Sequence, residues 1–232
     1  RALIQEFYDC HWRTTQMEII RKLSVFDDSR TLEFLFDHAF MEGDLAFAEV
    51  AIWSLSQTRN ALAAKFLARS YEGCPETLKP YVVTAIARLG DRSIAPRLAE
   101  DLEEQATGNR FKLVESLILA LGELKYEPAL AVIERFLINT ENSRHRMSAL
   151  ISVGKLSRST AVLDSCEKHF LNDVLEYQIF TSVRAQVQMR AHWKLEDYLG
   201  RIFEAKILHL SVALELNGFS ARDVKEGLKI YS

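Results

Sequence analysis

Ala85-Ile86-Ala87-Arg88-Leu89-Gly90-Asp91, with Ile94-Ala95-Pro96-Arg97-Leu98-Ala99-Glu100-Asp101-Leu102 just beyond it, decides how this chain folds. It reads as the end of one helix, a stop at Gly90 and the start of a second helix. Apolar residues spaced by three and four make one stripe on each helix. Glycine past a helix end followed by Asp is a stop-and-start signal. The same ending recurs along the chain. The counterparts of Leu89 are Leu23, Leu55, Leu124 and Leu156, at successive steps of 32, 34, 35 and 32 residues. Three residues before each stand Ile20, Ile52, Ile86, Leu121 and Val153, and four before stand Ile19, Ala51, Ala85, Ala120 and Ser152. A second column is punctuation: Gly43-Asp44, Gly73 with Pro75, Gly108-Asn109, Asn139 to Ser143, and Asn172-Asp173. The columns alternate, so each unit is helix, short turn, helix, loop, and units of this period bury their apolar faces on one another.

The short turns carry a resemblance. Ala120-Leu121-Gly122-Glu123-Leu124 and Ser152-Val153-Gly154-Lys155-Leu156 resemble the end of the first helix in HEAT repeats, and residues 85–102 resemble an almost complete unit. In the first two units, Ser24-Val25-Phe26-Asp27-Asp28 and Ser56-Gln57-Thr58-Arg59-Asn60 replace the Leu-Gly-Asp turn. A degenerate sixth unit runs from Leu175 to about Glu204, so the resemblance spans roughly residues 13–204. Tetratricopeptide repeats have a similar period, but their Leu-Gly pair lies inside the first helix. The resemblance implies an all-α, right-handed α-α superhelix of five to six helix pairs, with first helices convex and second helices concave. We expect a single domain over residues 1–232, with an N-terminal helix in 1–12, repeats in 13–204 and capping helices in 205–232. Leu3, Ile4, Phe7 and Tyr8 supply the apolar face of the first cap. Leu208 to Leu216, stopped at Asn217-Gly218, and a last helix capped by Ser220 and Asp223 make the other cap. A first residue Arg1 rather than Met suggests a longer parent chain.

Composition narrows the function. The net charge of −3, from 29 basic and 32 acidic residues, gives no overall positive field, so nucleic acid is not an expected partner. Cys10, Cys74 and Cys166 are an odd, scattered set with no CxxC pair, which suits reduced thiols and a cytoplasmic setting. No stretch reaches the ~18 to 20 apolar residues of a membrane span, and no secretory leader opens the chain. The six histidines are scattered and none precedes Glu, so the His-Glu pairs of the iron-binding HEAT-repeat hydroxylases are missing. GxGxxG, GxxxxGK[ST] and GxSxG are also missing, so no cofactor, metal or catalytic residue is expected.

Three sets of residues stand out as binding candidates. Aligning Leu98, Val132, Val162 and Leu195 places Glu100, Glu134, Asp164 and Asp197 at one position of the second helices, and Asp37 aligns with them in the first pair. On a concave face they would make an acidic strip for a basic or amphipathic protein or peptide, set against the ordinary reading of a solvated charged face. Ser143-Arg144-His145-Arg146 puts basic residues at a helix start, where the dipole disfavours them and an anion would be welcome. The alternative there is a solvated edge paired with Glu141. A looser basic group is Arg184, Arg190, His192 and Lys194, near Trp193. Trp53 stands where other units have Ala87, Gly122 and Gly154. Burial in the core is the general rule for so large an aromatic, and exposure would make it an interface anchor. The expected function is a noncatalytic protein-binding scaffold. The alternative is an enzyme subunit, because short HEAT-like arrays also resemble bilin lyase subunits and a class of DNA glycosylases.

Overall fold

The computed structural model of the chain describes residues 2–40, 44–58, 60–105 and 110–192. Among them are twelve α-helices and no strand. In chain order they are α1 (Ala2–Asp9), α2 (Arg13–Leu23), α3 (Ser29–Phe40), α4 (Leu45–Gln57), α5 (Ala61–Ser70), α6 (Lys79–Leu89), α7 (Ala95–Glu104), α8 (Phe111–Glu123), α9 (Leu130–Asn139), α10 (Ser143–Leu156), α11 (Ala161–Cys166) and α12 (Val174–His192). The pairs α2/α3 to α10/α11 are the five expected units, and α12 is the first helix of a sixth. The second half of that unit and the expected C-terminal caps lie outside the described residues, as do Gly43, Gly108 and Asn109.

The first helices α2, α4, α6, α8, α10 and α12 pack in sequence order into one layer. In the second layer, α9 lies against both α7 and α11, and the Phe36 and Phe66 rings, 5.1 Å apart, join α3 to α5. Ile20, Ile52, Ile86, Leu121 and Val153 are fully buried, and so, nearly, are Ile19, Ala51, Ala85, Ala120 and Ser152. Each large aliphatic in that stripe is worth about 1.5–3 kcal/mol of burial, so the repeated column is the main driving force of the stack.

The turns follow local rules. Asp44, Asn60 and Asn142 cap α4, α5 and α10 by accepting backbone N–H bonds, and Asp28 and Asp173 accept one each at the starts of α3 and α12. Gly90 ends α6 in the left-handed region at φ 78°, which is cost-free only for glycine. Polar contacts between units also keep the period. Arg13 pairs with Asp44, the Asn60 amide donates to the Asp27 carbonyl, Arg110 pairs with Glu76, and Ser152 Oγ donates to the Ile118 carbonyl; each links residues 31 to 34 apart. Each unit therefore holds only its neighbours, as a solenoid requires. At the N-terminal end α1 buries Ile4 and Phe7, and the Phe7 ring meets Phe34, His38 and Phe47 edge-on. Tyr8, expected on the same buried face, is 61% exposed, because α1 is covered on one side only.

Candidate interaction surfaces

The second-helix carboxylates do not form one column. A 35-residue step separates Leu89 from Leu124, Arg92 from Glu127 and Ala95 from Leu130, where the sequence alignment used 34. The step of 35 sets Glu100 in register with Arg135 and Glu134 with Ala99. The extra residue enters before Leu124, since the turns after α6 and α8 are equally long, so the shift could not be read from the second helices alone. Arginines also meet these carboxylates. Arg97 lies 3.2 Å from Glu100, 3.0 Å from Asp101 and 3.5 Å from Glu72. Arg135 pairs with Glu103, and Arg184 with Asp164 and Glu167. Glu134 is half-buried, makes no ion pair among the described residues, and has its carboxyl held above the usual range by desolvation. Asp37 is exposed, and Asp197 lies outside the described residues.

One buried polar contact went unread in the sequence. Asp101, 6% exposed, accepts a hydrogen bond from the hydroxyl of the fully buried Tyr71 and forms an ion pair with Arg97 Nη2. Burial, the bond to Asp101 and its charge push the Tyr71 phenol far above its ordinary range. The contact ties the end of α5 to α7. Its signal was available, since Asp101 lies on the stripe of Ala95, Leu98 and Leu102 where no unpaired carboxylate is tolerated.

Arg144, His145 and Arg146 are not brought together. Arg144 is exposed. His145 is buried, its Nε2 donating to the Phe111 carbonyl at 3.0 Å and its ring lying between Phe111 and Phe136. Arg146 Nη2 donates to the Thr140 carbonyl at 2.8 Å, closing the loop from inside where a pair with Glu141 was the alternative. Of the looser basic group, Arg184 is committed to Asp164 and Glu167, and Arg190 reaches the Ser157 carbonyl at 3.4 Å. Trp193 and Lys194 lie outside the described residues. Trp53 is 46% exposed, which corrects the expectation of core burial. The buried face of α4 is carried by Ala48, Ala51, Ile52 and Leu55, and Trp53 lies off it.

An apolar cleft lies at the edge where first helices begin. Its volume is about 490 Å³, and it runs across the starts of α4, α6 and α8, lined by Leu45, Tyr81, Phe111 and Leu113 and flanked by Glu49, Glu76, Arg110 and Lys112. Leu45 is 46% exposed and Phe111 54%. Trp12 and Val174, at the starts of α2 and α12, are each 77% exposed and carry the same apolar character to the other ends of the edge. Arg110 and Lys79 both pair with Glu76, and the Glu49 carboxylate raises the Tyr81 phenol above its ordinary range. Leu45, Phe111 and Val174 each open a first helix, which was the signal in the sequence, whereas α6 and α10 open with Lys79 and Ser143.

Among the described residues no three His, Cys, Asp or Glu side chains are placed to share a metal ion, and no helix is long and apolar enough to cross a membrane. Burial pushes the Cys74 and Cys166 thiols up to about 11, so neither is a ready nucleophile.

No family model matches the chain, and no curated protein matches it in sequence. Among solved structures, it is similar to a chain of the complex of CpcE and CpcF of phycocyanin lyase from Nostoc sp. PCC7120. The TM-score there is 0.57 at 18% identity, over 75% of this chain and 71% of that one. Human deoxyhypusine hydroxylase in complex with glycerol aligns over 97% of this chain and 95% of its own, at 12% identity and a TM-score of 0.44. The fold is an all-helical, HEAT-like solenoid.

Proposed function

We propose that this solenoid is a protein-docking module whose working surface is the edge where the first helices begin. The cleft over Leu45, Tyr81 and Phe111 carries the reading. Large apolar side chains held open to solvent beside a rim of both charge signs suit an amphipathic partner helix, with its apolar side in the cleft and its charges on the rim. The second-helix carboxylates contribute less, because Arg97 and Arg184 already partner Glu100 and Asp164. Leu45→Glu and Phe111→Glu test the assignment. Both should keep wild-type helicity and melting temperature, since each side chain is already about half exposed, while a partner captured by the wild type weakens by roughly 30-fold or more, the scale of a lost aromatic anchor. Capture of the same partner at unchanged affinity by both variants would remove the cleft from the interface.

A second reading is a HEAT-like enzyme subunit, favoured by the fold similarity to a phycocyanin lyase complex. Its test is an absorbance titration with a free bilin. A saturable red shift at equimolar protein supports that reading, and a spectrum identical to bilin in buffer removes it.

A further inference from the structure

The turns at the opposite edge of the stack carry a different signal. A cavity of about 260 Å³ opens between the intra-unit turns after α8 and α10 and the last turns of α12. Lys125, Lys155, Arg158 and Arg190 line it, with Glu127 the only carboxylate and Leu156 beneath. Four cations against one anion is a local excess opposite in sign to the chain's net charge of −3. Existing pairs leave much of it free. Arg158 stands 3.9 Å from Glu127 with both side chains about 70% exposed, and Arg190 reaches the Ser157 carbonyl only at 3.4 Å. Lys155 alone has a close partner, Glu123.

Backbone strain falls at the same place. Lys125 is the one non-glycine at positive φ among the described residues, at 53°. It ends α8 in a Schellman turn, its N–H donating to the Gly122 carbonyl and that of Tyr126 to Leu121. The equivalent residue ending α6 is Gly90, which takes the same conformation without strain. In the fourth unit a lysine holds a backbone position that glycine fits better, and its side chain faces the cavity. A strained residue beside unspent charge points to a ligand.

We propose that this cavity binds a phosphate group. The guanidinium forks of Arg158 and Arg190 and the ammonium of Lys125, with Lys155 held by Glu123 at the margin, match a phosphate dianion. The volume is below the ~300 Å³ at which drug-sized sites begin, so it suits one compact anion. The phosphate is either free in solution or carried by a phosphorylated side chain of a partner.

The test is an NMR titration of the full chain with inorganic phosphate at constant ionic strength held by chloride, following the backbone amides of Lys125, Leu156 and Arg158. A serine phosphopeptide is then titrated in the same way. Saturable shifts at these amides are expected. Lys125→Gly should weaken them about tenfold, the scale of one charge-assisted contact, while melting no lower than the wild type because the turn relaxes. Arg158→Gln with Arg190→Gln should abolish them. Tighter binding of the phosphopeptide places the phosphate on a partner, and equal binding places it in solution. The absence of saturable shifts in the wild type, or a Lys125→Gly variant that binds phosphate as well as the wild type, overturns the proposal.

Discussion

Gly122→Ala is a one-carbon change that measures how closely the first helices of the fourth and fifth units approach. A Cβ on Gly122 would lie 2.6 Å from Ser152 Oγ, 2.8 Å from its Cβ and 3.0 Å from its Cα. Ordinary carbon contacts lie near 3.5–4.0 Å, so α8 and α10 must part by about 1 Å or Ser152 must turn away. Ser152 is 1% exposed and its Oγ donates to the Ile118 carbonyl at 2.8 Å, so turning away costs a buried hydrogen bond. Overpacking of this kind costs about 1–3 kcal/mol and the lost bond about 1, while alanine returns about 1 through helix propensity. The expected net loss is about 1–3 kcal/mol. Gly154→Ala is the control. Its Cβ would meet Val183 Cγ1 at 2.6 Å but nothing else nearer than 3.6 Å, so a rotation of one side chain relieves it and the loss should stay within about 1 kcal/mol. Urea unfolding followed by circular dichroism gives both values. Amide exchange then shows whether the loss is confined to α8 and α10, because an array need not unfold in one step. Ser152→Gly in the Gly122→Ala background should recover most of the loss. If Gly122→Ala is as stable as Gly154→Ala, close approach of these helices is not what the small residue secures.

Removing the Tyr71 hydroxyl with Tyr71→Phe should cost about 1.5–3 kcal/mol, the range for a hydrogen bond to a charged group, and Asp101→Ala about 3–5 by stranding the buried phenol and freeing Arg97. Additive losses in the double variant, measured by thermal unfolding, would show that the two groups do not depend on each other. Desolvation raises the Glu134 carboxyl in the folded state, so the folded chain binds that proton more tightly than the unfolded one and stability falls as pH rises through the glutamate range. Glu134→Gln should therefore raise the melting temperature at neutral pH and give no gain below about pH 4; an equal gain at both would assign its effect to something other than the charge. With Cys74 and Cys166 buried and their thiols pushed up to about 11, a thiol reagent at neutral pH should modify Cys10 promptly and all three only after denaturation. Fast labelling of Cys166 in the native chain would contradict this.

The architecture was readable because its determinants are local and repeated. Ile20, Ile52, Ile86, Leu121 and Val153 obey one spacing rule five times, and Asp44, Asn60, Asn142 and Asp173 state where helices begin through chemistry that needs no distant partner. Trp53 misled because its column was defined by Gly122 and Gly154, whose neighbours Ser152 and Val183 crowd them. Nothing in the sequence says that the crowding is not the same at every step of a stack.

The surfaces resisted reading for a related reason. Charges on a solenoid are answered by the next unit, so Glu76, Glu103 and Glu123 meet Arg110, Arg135 and Lys155 at steps of 32 to 34 residues, and a column of one sign read along single helices says little about the field outside. Side chains without such an answer remain at positions where that cancellation does not operate. One class is apolar, the residues at the starts of first helices such as Leu45 and Phe111, which have no counterpart to cover them. The other is basic: the turn after α8 carries Lys125 in a left-handed conformation beside Arg158 and Arg190, where Glu127 is the one lining carboxylate. Both classes are defined by what the neighbouring unit fails to supply, and that appears only once the units are stacked.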